Sequence, residues 1–233
     1  MSDNSEVQAV PKENGELVTG IKGVIFDMDG LMIDSEPLHV KAFDAILRDY
    51  GHELTEAENK ERYLGISGLD CARDMVTRYQ LPLTPEEVAD LEHQNYMKLM
   101  GGEAIVQPGL MELLKQLKEA GFKIAIASGA PVAEIEHIIG VLKIESYIDS
   151  YTSAQEVDHG KPAPDIFLLA AKKMNEPPAR CLVLEDAAPG IAAAEAAGMV
   201  RFAVPSRETK GQDFSSATKI LGSLAEVFQL IQK

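Results

Sequence analysis

The sequence predicts an α/β protein: a parallel sheet covered by helices on both faces, with a helical segment inserted after the first strand. Short apolar runs rich in β-branched residues recur along the chain and stop at polar or acidic turns, as fully buried parallel strands do. Helical periods lie between those runs, and strands alternating with helices build a parallel sheet. One interval of about 75 residues, between the first strand and a helix at 109 to 120, carries helical stripes only.

The opening "MSDNSEVQAVPKENGELVTG" has no basic start followed by an apolar block, so residues 1 to 20 read as a polar, mobile leader. The first strand is "IKGVIF" (21 to 26). After it, Ser35 and Pro37 open a helix with an apolar face of Phe43, Ile46, Leu47 and Tyr50, closed at Gly51. Thr55 with Glu58, and Thr84 with Glu87, are capping-box spacings. Leu69, Ala72, Val76 and Tyr79 form one further stripe, and Val88, Leu91 and Leu99 another. These stripes give a small bundle at 34 to 104, a cap expected to sit over the strand ends as a lid. The core domain then comprises 21 to 33 and 105 to 233. Its helices are marked by Leu110, Leu113, Leu114 and Leu117 before Gly121, by Val132, Ile135 and Ile139, and by "PGIAAAEAAG". Its further strands are "FKIAIAS" (122 to 128), "CLVLED" (181 to 186), "VRFAVP" (200 to 205) and, more weakly, "YIDSYTS" (146 to 153). "SRETKGQDFSSATK" reads as a surface loop before a final helix.

Composition narrows the function. The 22 basic and 37 acidic side chains leave a net charge of −15, which disfavours nucleic-acid and anionic-membrane partners because both need a positive field. No apolar run reaches the roughly 20 residues of a membrane span. The two cysteines, Cys71 and Cys181, lack metal-ligand spacing and read as buried thiols of a cytoplasmic protein, with a monomer as the expected state.

In an open parallel sheet, ligands bind beyond the carboxyl ends of the strands. Those ends carry Asp27 and Asp29, Ser128 and Gly129, and Glu185 and Asp186, with Lys161 in the loop "DHGKPAPDIF". Two acidic pairs from separate strands suit a hard cation with oxygen ligands, and Mg2+ is the candidate. With the cation present, Asp27 is placed to attack phosphorus and form an acyl phosphate. Asp29 is placed to protonate the leaving alkoxide and later to take a proton from water. Ser128 and the Gly129 amide would bind phosphoryl oxygens, and Lys161 would offset charge beside the nucleophile. Glu36 and His39, one helical turn apart at the start of the cap, read either as substrate contacts or as a first-turn glutamate beside a surface histidine.

At these residues the sequence resembles the haloacid dehalogenase superfamily of phosphohydrolases. "FDMDG", "IASG", "GKPAPDIF" and "VLEDAAPG" are similar to its four ordered motifs, over about residues 21 to 205. The resemblance implies a Rossmann-like core with a helical cap and a Mg2+-dependent aspartyl-phosphate mechanism. It implies a metal held by the Asp27 side chain, the Asp29 main-chain carbonyl and the Asp186 side chain, with Glu185 assisting. Ala187 stands where a serine often follows the acidic pair. The branch it resembles most holds β-phosphoglucomutase, sugar-phosphate phosphatases and pseudouridine-5′-phosphatase, which implies a small phosphorylated metabolite, a sugar phosphate or a nucleoside or pseudouridine monophosphate, as substrate. "YLGISGLD" is similar to the substrate loop of the mutases and puts Gly65 at the substrate, but Leu64 and Gly68 replace their lysine and arginine. Losing those cations favours hydrolysis over a phosphomutase reaction. A phospho-acceptor or silent binding protein is the remaining alternative.

Overall fold

The computed structural model describes residues 17–63, 66, 68–103 and 105–232. In chain order the elements are β1 (Gly23–Phe26), β2 (Ile33–Asp34), α1 (Glu36–Asp49), α2 (Glu56–Arg62), α3 (Gly68–Tyr79), α4 (Pro85–Glu103), β3 (Ile105–Val106), α5 (Leu110–Glu119), β4 (Lys123–Ser128), α6 (Val132–Leu142), β5 (Ser150–Ser153), α7 (Asp165–Met174), β6 (Cys181–Glu185), α8 (Ala188–Ala196), β7 (Val200–Ala203) and β8 (Lys219–Ile220). The chain divides into two compact units, Met1–Ile33 with Val106–Lys233, and Asp34–Ile105. The short strands β2 and β3, where the chain passes from one unit to the other, pair with each other.

The larger unit is built on a Rossmann-like sheet in the order β5-β4-β1-β6-β7-β8, with every pairing parallel. All residues of β1 and β6 are buried, whichever face they point to, so both faces of the sheet are covered. On one face Ile25, Ala125 and Val183 pack against Ile166, Phe167, Ala170 and Met174 of α7 and against Ala193 and Ala194 of α8. Elsewhere α5 packs against β4 with Leu110, Leu113, Leu114 and Leu117 all buried, each contributing about 1.5–3 kcal/mol. From β1 the chain moves outward through β4 to β5, then returns to the other side of β1 as β6. That reversal opens the binding crevice at the carboxyl end of β1.

Two expectations fail in this unit. Residues 1–16 of the expected mobile leader lie outside the described residues, but residues 17–20 are not loose. Val18 is buried and bridges Ile231, donating to the Leu230 carbonyl at 2.9 Å and accepting from the Gln232 amide at 2.8 Å. The final helix does not form among the described residues: the tail forms β8 and two single 3-10 turns, Leu224–Glu226 and Phe228–Leu230. Leu224 and Val227 are buried three residues apart, the spacing of a 3-10 turn, and the Ser223 hydroxyl accepts from the Ala225 amide at 3.2 Å. The stretch read as a surface loop, 206 to 219, also reaches the site described below. The two cysteines are buried free thiols, as expected, and burial pushes the Cys181 thiol up to about 12.

In the smaller unit, α1 buries Phe43, Ile46 and Leu47 against Cys71, Ala72 and Met75 of α3 and Val88 of α4, whereas Tyr50 is exposed. Thr55 accepts from the Glu58 amide at 3.2 Å at the start of α2. Thr84 and Glu87 close a full capping box before α4: Glu87 N–H to Thr84 Oγ1 at 3.2 Å, Thr84 N–H to Glu87 Oε2 at 2.8 Å. The buried face of α4 is Val88, Glu92, Tyr96 and Met100, not Val88, Leu91 and Leu99. Leu91 is exposed because a buried glutamate takes the turn that an apolar reading assigns to leucine.

Candidate active site

The register of the central strands places the acidic residues. Phe26 pairs with Ile126 on one side and Leu184 on the other, so Asp27 emerges between Ala127 and Glu185. Its amide extends the ladder by one more bond, to the Leu184 carbonyl at 3.0 Å. Met28, between the two aspartates, is fully buried. The carboxylates of Asp27, Glu185 and Asp186 are all buried, with one oxygen of each within 4.8 Å of the others.

Lys161 reaches this trio from the loop before α7. Its ammonium donates to Asp27 Oδ1, to Glu185 Oε1 at 2.6 Å and to the Ala127 carbonyl at 3.3 Å. The same nitrogen lies 5.1 Å from the centroid of the Phe167 ring, a buried aromatic floor. One ammonium cannot balance three carboxylates, and two negative charges are left in a dry site. Burial first, then Glu185, and Asp186 after the partial relief from Lys161, push the Asp27 carboxyl well above the usual range. Burial and Glu185 raise Asp186 to about 6 against hydrogen bonds from Ser206 and Thr209. Burial alone would lower Lys161, but Asp27 and Glu185 outweigh it and hold the ammonium above its ordinary value. The donor set therefore fits a hard divalent cation: oxygen ligands only, the right separation, and a charge deficit of two.

The glycines beside the trio are fitted to it. Gly30 has a φ of +80°, and a Cβ there would stand 2.2 Å from Asp186 Oδ2. A Cβ on Gly190, in the first turn of α8, would stand 1.8 Å from Glu185 Oε1. Glu185 also accepts from the Ala187 amide at 3.1 Å.

The other residues marked in the sequence are placed as follows. Asp29 is half-buried and bridges Ile33, and its carboxylate is not one of the trio. Ser128 is buried at the end of β4 and accepts from the Ala130 amide at 3.0 Å; Gly129 beside it is exposed. Glu36 and His39 lie in the first turn of α1, in the smaller unit. Glu36 accepts from Asn59 of α2 at 2.8 Å, and His39 Nδ1 lies 2.8 Å from Glu92 Oε1 of α4 while its ring stacks on Tyr96 at 4.2 Å. Gly65, and Leu64 before it, lie outside the described residues. Sequence reading missed Ser206, Thr209, Phe167, Gly30, Gly190 and Glu92. Gly30 and Gly190 carry a signal, since each sits within the acidic motifs, but the partners of Thr209 and Glu92 are made by tertiary contact alone.

Comparison with known proteins agrees with this geometry. A family model described as haloacid dehalogenase-like hydrolase matches residues 21–198. The chain is 38% identical over 208 residues to a probable pseudouridine-5′-phosphatase of Drosophila melanogaster, covering 87% of this chain and 89% of that protein. A crystal structure of a putative β-phosphoglucomutase from Thermotoga maritima superposes with a TM-score of 0.80 at 27% identity, covering 88% of this chain and 96% of that one. CbbY from Rhodobacter sphaeroides in complex with phosphate gives a TM-score of 0.75 at 28% identity, covering 90% and 99%. With a matching model across most of its length and the acidic trio and Lys161 converging at the sheet edge, the chain belongs to the haloacid dehalogenase-like hydrolases.

Proposed function

We propose that the protein is a Mg2+-dependent phosphatase that hydrolyses a small phosphorylated metabolite through an aspartyl-phosphate on Asp27. The observation that carries the reading is the buried trio of carboxylates around one ammonium, short of two positive charges. The chain is a phosphoric monoester hydrolase. Asp27, Asp186, Glu185 and the main-chain carbonyl of Asp29 are the groups that would hold the ion. When bound, Mg2+ supplies the missing charge for the carboxylates and for the incoming phosphoryl group.

Lys161 grips one oxygen of Asp27 and fixes the plane of the carboxylate. As the Asp27 oxygen bonds to phosphorus, the bond from phosphorus to the ester oxygen breaks, and Asp29 protonates the departing alkoxide. Water then attacks the same phosphorus and gives its proton to Asp29, releasing inorganic phosphate and restoring Asp27. Because the Ser128 hydroxyl already accepts from Ala130, its own proton is the one to donate to a phosphoryl oxygen. The amide of Gly129, an exposed residue, is the second donor in this reading.

The substrate class is a sugar phosphate or a nucleoside or pseudouridine monophosphate, supported by the relatives' printed activities. Glu36, His39 and Gly65 are the proposed contacts of the cap. The test is phosphate release over a panel of such monoesters, with Mg2+ and with EDTA. Metal-dependent release supports the reading. Isomerisation of a sugar 1-phosphate with a trace of bisphosphate, without released phosphate, makes the enzyme a phosphomutase instead.

A further inference from the structure

We propose that the turn from Ser206 to Thr209 is a positioning device for Asp186, and that the Thr209 hydroxyl tunes the affinity of the site for its divalent cation. The proposal rests on the reading of Asp27, Glu185 and Asp186 as a cation site. The turn follows β7 and closes on its own side chains. The Ser206 amide donates to Thr209 Oγ1 at 3.0 Å, the Thr209 amide donates to Ser206 Oγ at 3.3 Å, and the two hydroxyl oxygens lie 3.0 Å apart. The Lys210 amide adds a bond to the Ser206 carbonyl at 3.0 Å.

With both ends tied, the turn presents the Thr209 hydroxyl to Asp186 Oδ2 at 3.3 Å. That bond adds nothing to the closure of the turn. A hydroxyl has one proton, and Thr209 Oγ1 already accepts from Ser206; an ionised carboxylate only accepts, so the proton goes to Asp186. On the other side the same Oδ2 meets the bare Cα of Gly30, where a Cβ would stand 2.2 Å away. Ser206 of the same turn also hydrogen-bonds Asp186, so the carboxylate is held between the hydroxyls of the turn and the bare Cα of Gly30, contacts that fix its rotation. The residue after Asp186 brings no hydroxyl: it is Ala187, the N-cap of α8, which makes no side-chain cap. Partners of this kind orient a ligand toward its metal and raise metal affinity.

The test uses the full chain, titrated with Mn2+ and followed by electron paramagnetic resonance, and with Mg2+ followed by thermal shift. Thr209→Val keeps the shape and removes the hydroxyl; Thr209→Ser keeps the hydroxyl; Asp186→Asn marks the loss of a ligand. The expected result is roughly tenfold or greater weakening of Mn2+ binding in Thr209→Val, with a metal-free Tm near that of the parent and affinity restored in Thr209→Ser. Should Thr209→Val unfold, Thr209→Ala carries the same comparison against Thr209→Ser. Parent-like Mn2+ affinity in the variant lacking the hydroxyl, or equal weakening in Thr209→Ser, overturns the positioning role while leaving the cation site intact. Failure of the parent chain to bind either ion overturns the cation reading, and the positioning role with it.

Discussion

Asp186, raised to about 6 by burial and Glu185, contributes to the pH behaviour of the metal-free site beside Asp27, which is raised as well. A carboxyl whose folded value lies above its unfolded value of about 4 binds its proton more tightly in the folded chain. Its contribution to stability is therefore complete below pH about 4 and is lost as pH rises through about 6. At about 1.4 kcal/mol per unit, this is of order 2–3 kcal/mol. Asp186→Asn should flatten the fall in metal-free Tm over that window, and Mg2+ should raise the Tm of the parent chain at pH 7.5 but progressively less below pH 6. Asp27→Asn should abolish phosphate release without lowering the metal-free Tm, because it removes the attacking charge and relieves repulsion together. Lys161→Met has the opposite sign: deleting the ammonium leaves the buried carboxylates of Asp27 and Glu185 without their ion-pair partner, and a loss of roughly 3 kcal/mol or more is expected in a denaturant titration.

Among the elements, α4 shows how helix chemistry and pattern diverge. The Thr84 capping box was legible because it is local, four residues with complementary donors and acceptors. Thr84→Ala should cost about 1 kcal/mol, read as a fall in Tm of a few degrees. The buried face of the same helix was not legible, because Glu92 enters it only by virtue of His39, 53 residues earlier in the chain. A carboxylate is expensive in an apolar face unless a partner hydrogen-bonds it, and periodicity has no access to that partner. Glu92→Ala should destabilise the smaller unit by about 1–2 kcal/mol, whereas Glu92→Gln, which retains an acceptor for His39, should cost less. The C-terminal tail went wrong for a related reason. Leu224, Val227 and Ile231 satisfy a helical spacing, yet their burial comes with 3-10 turns and with the bridge from Ile231 to Val18.

For the molecule as a whole, the net charge of −15 opposes the approach of any phosphate monoester. The local attraction has to come from Lys161, the donors at the strand ends and the cation. Screening weakens the long-range repulsion more than contacts inside a dry site. Raising NaCl from about 10 to 150 mM should therefore raise kcat/KM at saturating Mg2+, by roughly twofold, where an enzyme that draws substrate through a basic surface would lose activity. No helix among the described residues is long and apolar enough to cross a membrane.

The sequence by itself determined five of the six strands of the parallel sheet, including the weak one at Ser150–Ser153 but not β8, the helices between those strands, and the acidic, hydroxyl and lysine residues at the strand ends. These are consequences of periodicity and of short apolar runs, both written locally in the chain. Only the tertiary structure decided that β1 lies between β4 and β6, and so that Asp27, Glu185, Asp186 and Lys161, spread over 160 residues, share one buried volume. It alone brought Thr209 to Asp186, and the bare Cα atoms of Gly30 and Gly190 against Asp186 and Glu185. Strand order and close approach are set by packing between segments distant in sequence, and no local pattern encodes which partner a buried polar group will find.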